Sequence, residues 1–283
     1  MSTSAISPQP LPNHLAAAGL FLLTAALTSV WIALVVAVPE FQSTGASSNI
    51  SRVIIHVLVL IGLWIALTRA GYEFNTRLAL WAVIVVPYTA WYLLIRSVAI
   101  DGIFVPGQSR IPVLPIAILL PILLGAPLLS RSKTIGTVLD AMPAPWLIAL
   151  QAYRVLGGIF LVGWAQGKLS SYFALPAGTG DVLVGLLALP VAYYASLGSQ
   201  GGRRLGIAWN ILGILDLSIA ISMGILTSPG PQQLFPPDRP NALLGLYPTV
   251  MIPAFAVPSS ILFHVLSIRQ LVRLGHKNTS ERR

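Results

Sequence analysis

Eight apolar stretches, each long enough to cross a lipid bilayer, divide this chain and leave little room for anything else. A membrane-spanning helix needs about 20 predominantly apolar residues, because the hydrocarbon layer is about 30 Å thick and an α-helix rises about 1.5 Å per residue. The stretches cover residues 14–38, 52–69, 77–97, 111–130, 146–166, 181–198, 205–227 and 250–271. No water is available there to satisfy peptide groups, so each stretch is expected to be a helix that closes its own hydrogen bonds. The predicted fold is all-α, a polytopic bundle of about eight transmembrane helices with no soluble domain.

Composition agrees with that class. Hydrophobic residues make up 55% of 283 positions and charged residues only 9%, whereas a soluble domain carries about a quarter charged residues. The net charge of +9 comes from Lys and Arg at the ends of the apolar runs, which reads as topology and headgroup contact rather than nucleic-acid binding. The absence of cysteine excludes disulfides and thiolate metal sites. Residues 1–13 carry Pro8, Pro10 and Pro12 and no basic residue, and are expected to form a short disordered tail. The first apolar run is too long for a signal-peptide core and is read as a retained helix. Residues 14–271 are expected to form one helical domain, and residues 272–283 a basic cytoplasmic tail.

Counting basic residues on alternate sides gives the orientation, since Lys and Arg resist translocation. One side collects Arg69, Arg77, Arg131, Lys133, Arg203, Arg204, Arg269, Arg273, Lys277, Arg282 and Arg283; the other holds Arg52, Arg96, Arg110, Lys168 and Arg239. The imbalance predicts cytoplasmic N- and C-termini in a bacterial inner membrane. The outward loops are the longer ones, and 228–249 is rich in proline, which suits a lid or, as the favoured reading, a spacer. Pro112, Pro115, Pro121 and Pro127 are expected to interrupt the fourth run as a straight helix. Short echoes between the halves, Arg77-Leu-Ala-Leu-Trp81 and Arg204-Leu-Gly-Ile-Ala-Trp209, are too brief to establish a duplication.

Polar residues inside the runs point to the chemistry. An intramembrane charge costs a few kcal/mol and calls for a partner, a proton or a function. At 1.5 Å per residue from the basic side, Arg154 falls about 12 Å deep, Asp216 about 16 Å and His264 about 10 Å, with Asn210 and Gln151 about 7 Å in. Arg154 and Asp216 are therefore an expected ion pair with His264 beside it, either fixing helix register or serving as a substrate and proton relay. The segment Phe173-Ala-Leu-Pro-Ala-Gly-Thr-Gly-Asp-Val182 is expected to be an outer-face turn. There Gly178 and Gly180 supply unusual backbone angles, and Thr179 or Asp181 caps the sixth helix; the functional alternative is that the helix start and loop amides hold an anionic group, with Asp181 gating a proton or cation.

No cofactor is expected. His56 and His264 are expected at different depths, which disfavours a two-histidine haem, and no metal motif, P-loop or hydrolase elbow occurs. The leading reading is a carrier or channel for a small solute, with proton coupling as an extension of it. A membrane enzyme acting on a lipid or isoprenoid, and an accessory subunit of a membrane complex, are the alternatives. The partners implied are the bilayer and a small solute, with no nucleic acid; a homo-oligomer or a partner membrane subunit is left open.

Overall fold

The computed structural model describes residues 12–38, 44–105, 108–109, 111–229, 232–239 and 241–280. Most of the expected N-terminal tail, Arg110 and the last three residues lie outside that set. The described residues are helical without any strand, and eight helical stretches are long and apolar enough to cross a membrane. In chain order the α-helices are α1 His14–Ala37, α2 Thr44–Arg69, α3 Phe74–Ile100, α4 Val113–Arg131, α5 Lys133–Ala141, α6 Pro145–Leu150, α7 Ile159–Ala165, α8 Ser171–Ser196, α9 Gln200–Leu226 and α10 Val257–Ser280. A 3-10 helix, Gln151–Gly158, joins α6 to α7, and one π-helical stretch, Ile252–Ala256, leads into α10.

Local chemistry sets these boundaries. The Asn13 side chain accepts from the amides of Leu15 and Ala16 at 3.1 and 3.2 Å and so starts α1. Ser132, Ser170 and Ser199 do the same for α5, α8 and α9. Gly167 turns the chain between α7 and α8 at φ 75°, a backbone angle that side chains rarely tolerate. Inside the spans, Thr24, Thr179, Ser218 and Ser222 bond back to carbonyls one turn earlier, so their hydroxyls remain satisfied without water.

Two expectations are corrected. The fourth run is one continuous helix despite Pro121 and Pro127, and winding changes instead within the fifth span and at the start of the eighth. The sixth span starts at Ser171 rather than near Asp181, because the true turn is the Gly167 reversal followed by the Ser170 cap. Within the stretch expected as a basic tail, α10 continues as helix to Ser280.

Packing is uneven. The long helix α8 is the hub, touching α1, α6, the 3-10 segment, α7 and α9, while α10 packs on α9 and α4. The helices α1 to α4 turn large apolar side chains such as Leu22, Leu27, Val83 and Leu123 outward, where hydrocarbon would cover them. One end of the bundle is basic. There α5 is tied to α10 by Gln270, whose Nε2 donates to the carbonyls of Leu139 and Met142 at 2.6 and 2.7 Å, by Arg269 on the Leu129 and Ser132 carbonyls, and by the Arg273–Asp140 pair.

The opposite end holds the longer connections, and the proline-rich loop there is fastened down. Asp238 accepts from the Ser170 hydroxyl and the Ser171 amide at 2.5 and 3.0 Å. Asn241 accepts from the Ser170 amide and donates to Thr227, and Arg239 donates to the Trp164 carbonyl. The loop is thus bound to three helix ends rather than being a free spacer.

Candidate functional site

Arg154 lies on the 3-10 segment, and all three nitrogens of its guanidinium have partners. Nε donates to Asp181 Oδ1 at 2.8 Å, and Nη2 approaches the same oxygen at 2.6 Å. Nη2 also bonds Asp216 Oδ2. Nη1 faces the Gly213 carbonyl at 3.4 Å and His264 Nε2 at 3.2 Å. The Arg154 side chain is 2% exposed, so these contacts replace water entirely.

The rest of the network fixes the state of His264. Asn210 Nδ2 donates to the Gly206 carbonyl at 2.7 Å and to Ser267 at 3.0 Å, which leaves its oxygen to face His264 Nδ1 at 2.8 Å. The Nδ1 atom therefore carries the hydrogen, and Nε2 accepts from Arg154. His264 is a neutral acceptor that holds the guanidinium. Gln151, one turn before Arg154, donates to the Ser260 carbonyl at 3.0 Å, and Tyr153 shares a hydrogen bond with the Ser260 hydroxyl.

The structure thus brings Arg154, Asp216, His264 and Asn210 into one buried chain of contacts and adds Asp181 to it. The reading of Gly178, Gly180 and Asp181 as an outer-face turn is overturned. All three lie inside α8, with Asp181 about 15 Å along the helix from Ser171. Proline and glycine had suggested a loop, but Pro176 is tolerated within the membrane helix, as Pro190 is further along. A usable signal was present: Ala174, Gly178, Asp181, Gly185 and Ala188 repeat at helical spacing as one small-residue face.

Glycines are what allow these charged groups to fit. A methyl group on Gly180 would overlap Asp216, one on Gly157 would overlap Asp181, and one on Gly213 would overlap the His264 ring. Each polar side chain therefore lies in a notch on a neighbouring helix. Gly185 lets α8 approach the 3-10 backbone, where a Cβ would stand 2.6 Å from the Val155 nitrogen.

Two cavities meet at Asp181. The larger, about 280 Å³, lies toward the loop end. It is walled mainly by apolar side chains, among them Phe104, Ile118, Phe173, Ala220, Leu244 and Pro253. The smaller, about 30 Å³, is bounded by Arg154, Tyr153, Ser260 and Leu217. Asp181, Leu217, Ile252 and Val257 border both. The Asp181 side chain retains 15% exposure, so it is the charged group of the cluster that the larger cavity reaches.

Elsewhere, His56 packs among Tyr88, Tyr92 and Phe255 with ring centroids about 5 Å apart, and Tyr88 points inward to the Ser259 hydroxyl. It belongs to a different cluster from His264. Among the described residues no three His, Cys, Asp or Glu side chains gather as a metal site.

No curated protein and no solved structure matches the chain. Residues 111–272, more than half of the chain and the whole of the Arg154 network, match the family described as domain of unknown function DUF8737, and the protein belongs to that family.

Proposed function

We propose that this multi-pass membrane protein is a carrier for a small solute in the bacterial cytoplasmic membrane, coupled to the movement of one proton, with the basic end of the bundle facing the cytoplasm. The observation that carries this reading is a single guanidinium shared by two carboxylates inside the spans. Arg154, Asp181 and Asp216 together with a neutral His264 sum to one negative charge. An unpaired charge in such a place costs several kcal/mol, so the cluster favours taking up one positive charge. The proton on Asp216 supplies it in the empty carrier.

Two further features support transport over a purely structural pair. The span that carries Arg154 is interrupted near its middle by the 3-10 segment, and broken helices at mid-membrane are where carriers place their sites. The larger cavity opens toward the loop end, while α5 and the Gln270 and Arg269 contacts close the basic end. That asymmetry suits one of two alternating states.

Proteoliposomes with a trapped pH dye test the proposal. At least one member of a panel of small amphiphilic solutes should drive proton flux through the wild type, and none should do so through an Asp216→Asn variant inserted to the same level. Equal solute-driven flux in the variant would remove Asp216 from the mechanism, and a panel with no active member would sink the coupling.

A further inference from the structure

We propose that the solute is a monovalent organic cation with a compact apolar body, and that its charge lies beside Asp181 in exchange for the proton. This rests on the carrier reading and names its substrate class. The alternative at the same site is an anion held by Arg154, and the geometry disfavours it. Arg154 is buried with all three guanidinium nitrogens engaged, so an anion would have to displace a carboxylate or the His264 ring. The carboxylates, by contrast, have capacity to spare. Asp181 binds Arg154 through Oδ1 and Asp216 through Oδ2; among the described residues neither Oδ2 of Asp181 nor Oδ1 of Asp216 has a hydrogen-bond donor, the second is covered by Gly180, and of the two carboxylates Asp181 is the one that borders the larger cavity.

The cavity supplies the rest of the specificity. Its walls are mostly apolar, and its polar members, such as Ser109, Ser228 and Asn241, lie toward the loop end, away from the carboxylate. A ligand that fits both parts carries one positive charge at its inner end and an apolar body of a few carbons behind it. The charge count then makes the ligand and the proton alternatives. With neither, the cluster is negative by one; with either, it is neutral; with both, it is positive by one. The titratable groups facing Asp181 are Arg154 and Tyr153 on the 3-10 segment, Asp216 on α9 and His264 on α10. Helices α1, α6 and α7, which also touch α8, bring none to that depth. Binding at neutral pH should therefore release one proton per cation, and that proton leaves from the Asp216 carboxyl.

Calorimetry on the detergent-purified full chain, with benzyltrimethylammonium as probe and hydrocinnamate as its anionic counterpart, tests this. The quaternary ammonium cannot lose a proton, so any proton released comes from the protein. Saturable binding of the cation with about one proton released, read from buffers of different ionisation enthalpy, is the expected result. It should be lost in Asp181→Asn and in Ala220→Phe, the second of which fills the cavity from α9 without touching the charges. Binding of hydrocinnamate but not of the cation would overturn the proposal in favour of Arg154, and binding of neither would overturn the substrate class. Cation binding that survives both substitutions would overturn the site. If the cation binds as expected but proteoliposomes show no cation-for-proton exchange, the ligand class stands and the carrier reading fails.

Discussion

A carboxylate or an imidazole can be held in an apolar bundle only if a neighbouring backbone comes close enough to exclude every competing side chain. Gly180 and Gly213 do this for Asp216 and His264. Adding one methyl group at either place forces a shift of the polar group, and overpacking of this kind typically costs about 1–3 kcal/mol. Gly180→Ala and Gly213→Ala should each lower the thermal midpoint in detergent. Gly201→Ala, on the same helix α9 but with nothing within 4 Å of the new carbon, should leave it unchanged or slightly higher. Arg154→Gln should be worse than any of these, by about 3–5 kcal/mol, because it strands two buried carboxylates. Adding Asp216→Asn to that variant should restore part of the loss. The Arg154–Asp216 proximity was legible from sequence, since residue counting from the basic ends placed the two near one depth. Asp181 was not, because Pro176, Gly178 and Gly180 carry loop meaning in water and none inside a membrane helix, where small residues serve close packing instead.

At the scale of elements, two segments depart from regular α-helix or depend on titratable contacts. The 3-10 stretch Gln151–Gly158 rises about 2.0 Å per residue against about 1.5 Å for α-helix, so rewinding it would shorten the fifth span by about 4 Å and move Arg154 with it. Amide exchange at 151–158 should therefore be faster than along the middle of α8, and equal protection would argue against a hinge there. No periodicity in the sequence announces a 3-10 winding, since apolar residues at spacing three and four suit both forms. The second segment is the junction of the proline-rich loop with α8. The Ser170 hydroxyl, aided by the Ser171 amide, holds the Asp238 carboxylate below the usual carboxylate range. A depressed value means the contact contributes fully above the unfolded value of about 3.9 and is lost as pH falls through the lower folded one. Protection of the Ser170 and Ser171 amides should thus decline only in acid below about pH 4. Asp238→Asn should remove that pH dependence, and a loop that loosens near neutrality would contradict the assignment.

For the whole molecule, the end that faces the cytoplasm decides from which side the cavity is loaded. The basic end carries Arg69, Arg131, Lys133, Arg203, Arg204, Arg269 and Arg273, and the structure gathers these through contacts such as Arg273–Asp140 and the Arg69–Trp146 stack. The loop end has far fewer, among them Arg96, Lys168 and Arg239. A difference of that size in short connections is what orients membrane chains, so the cavity should open away from the cytoplasm. The natural lack of cysteine makes this directly measurable, since a single introduced thiol has no background. In intact cells a membrane-impermeant maleimide should label Gln232→Cys on the loop and spare Ser199→Cys between α8 and α9 until the cells are opened. The reverse pattern would invert the bundle and turn the proposed carrier's open state inward. If Gln232→Cys is also protected from the reagent by benzyltrimethylammonium, the fastened loop lies over the loading path, because Gln232 borders the same cavity that ends on Asp181.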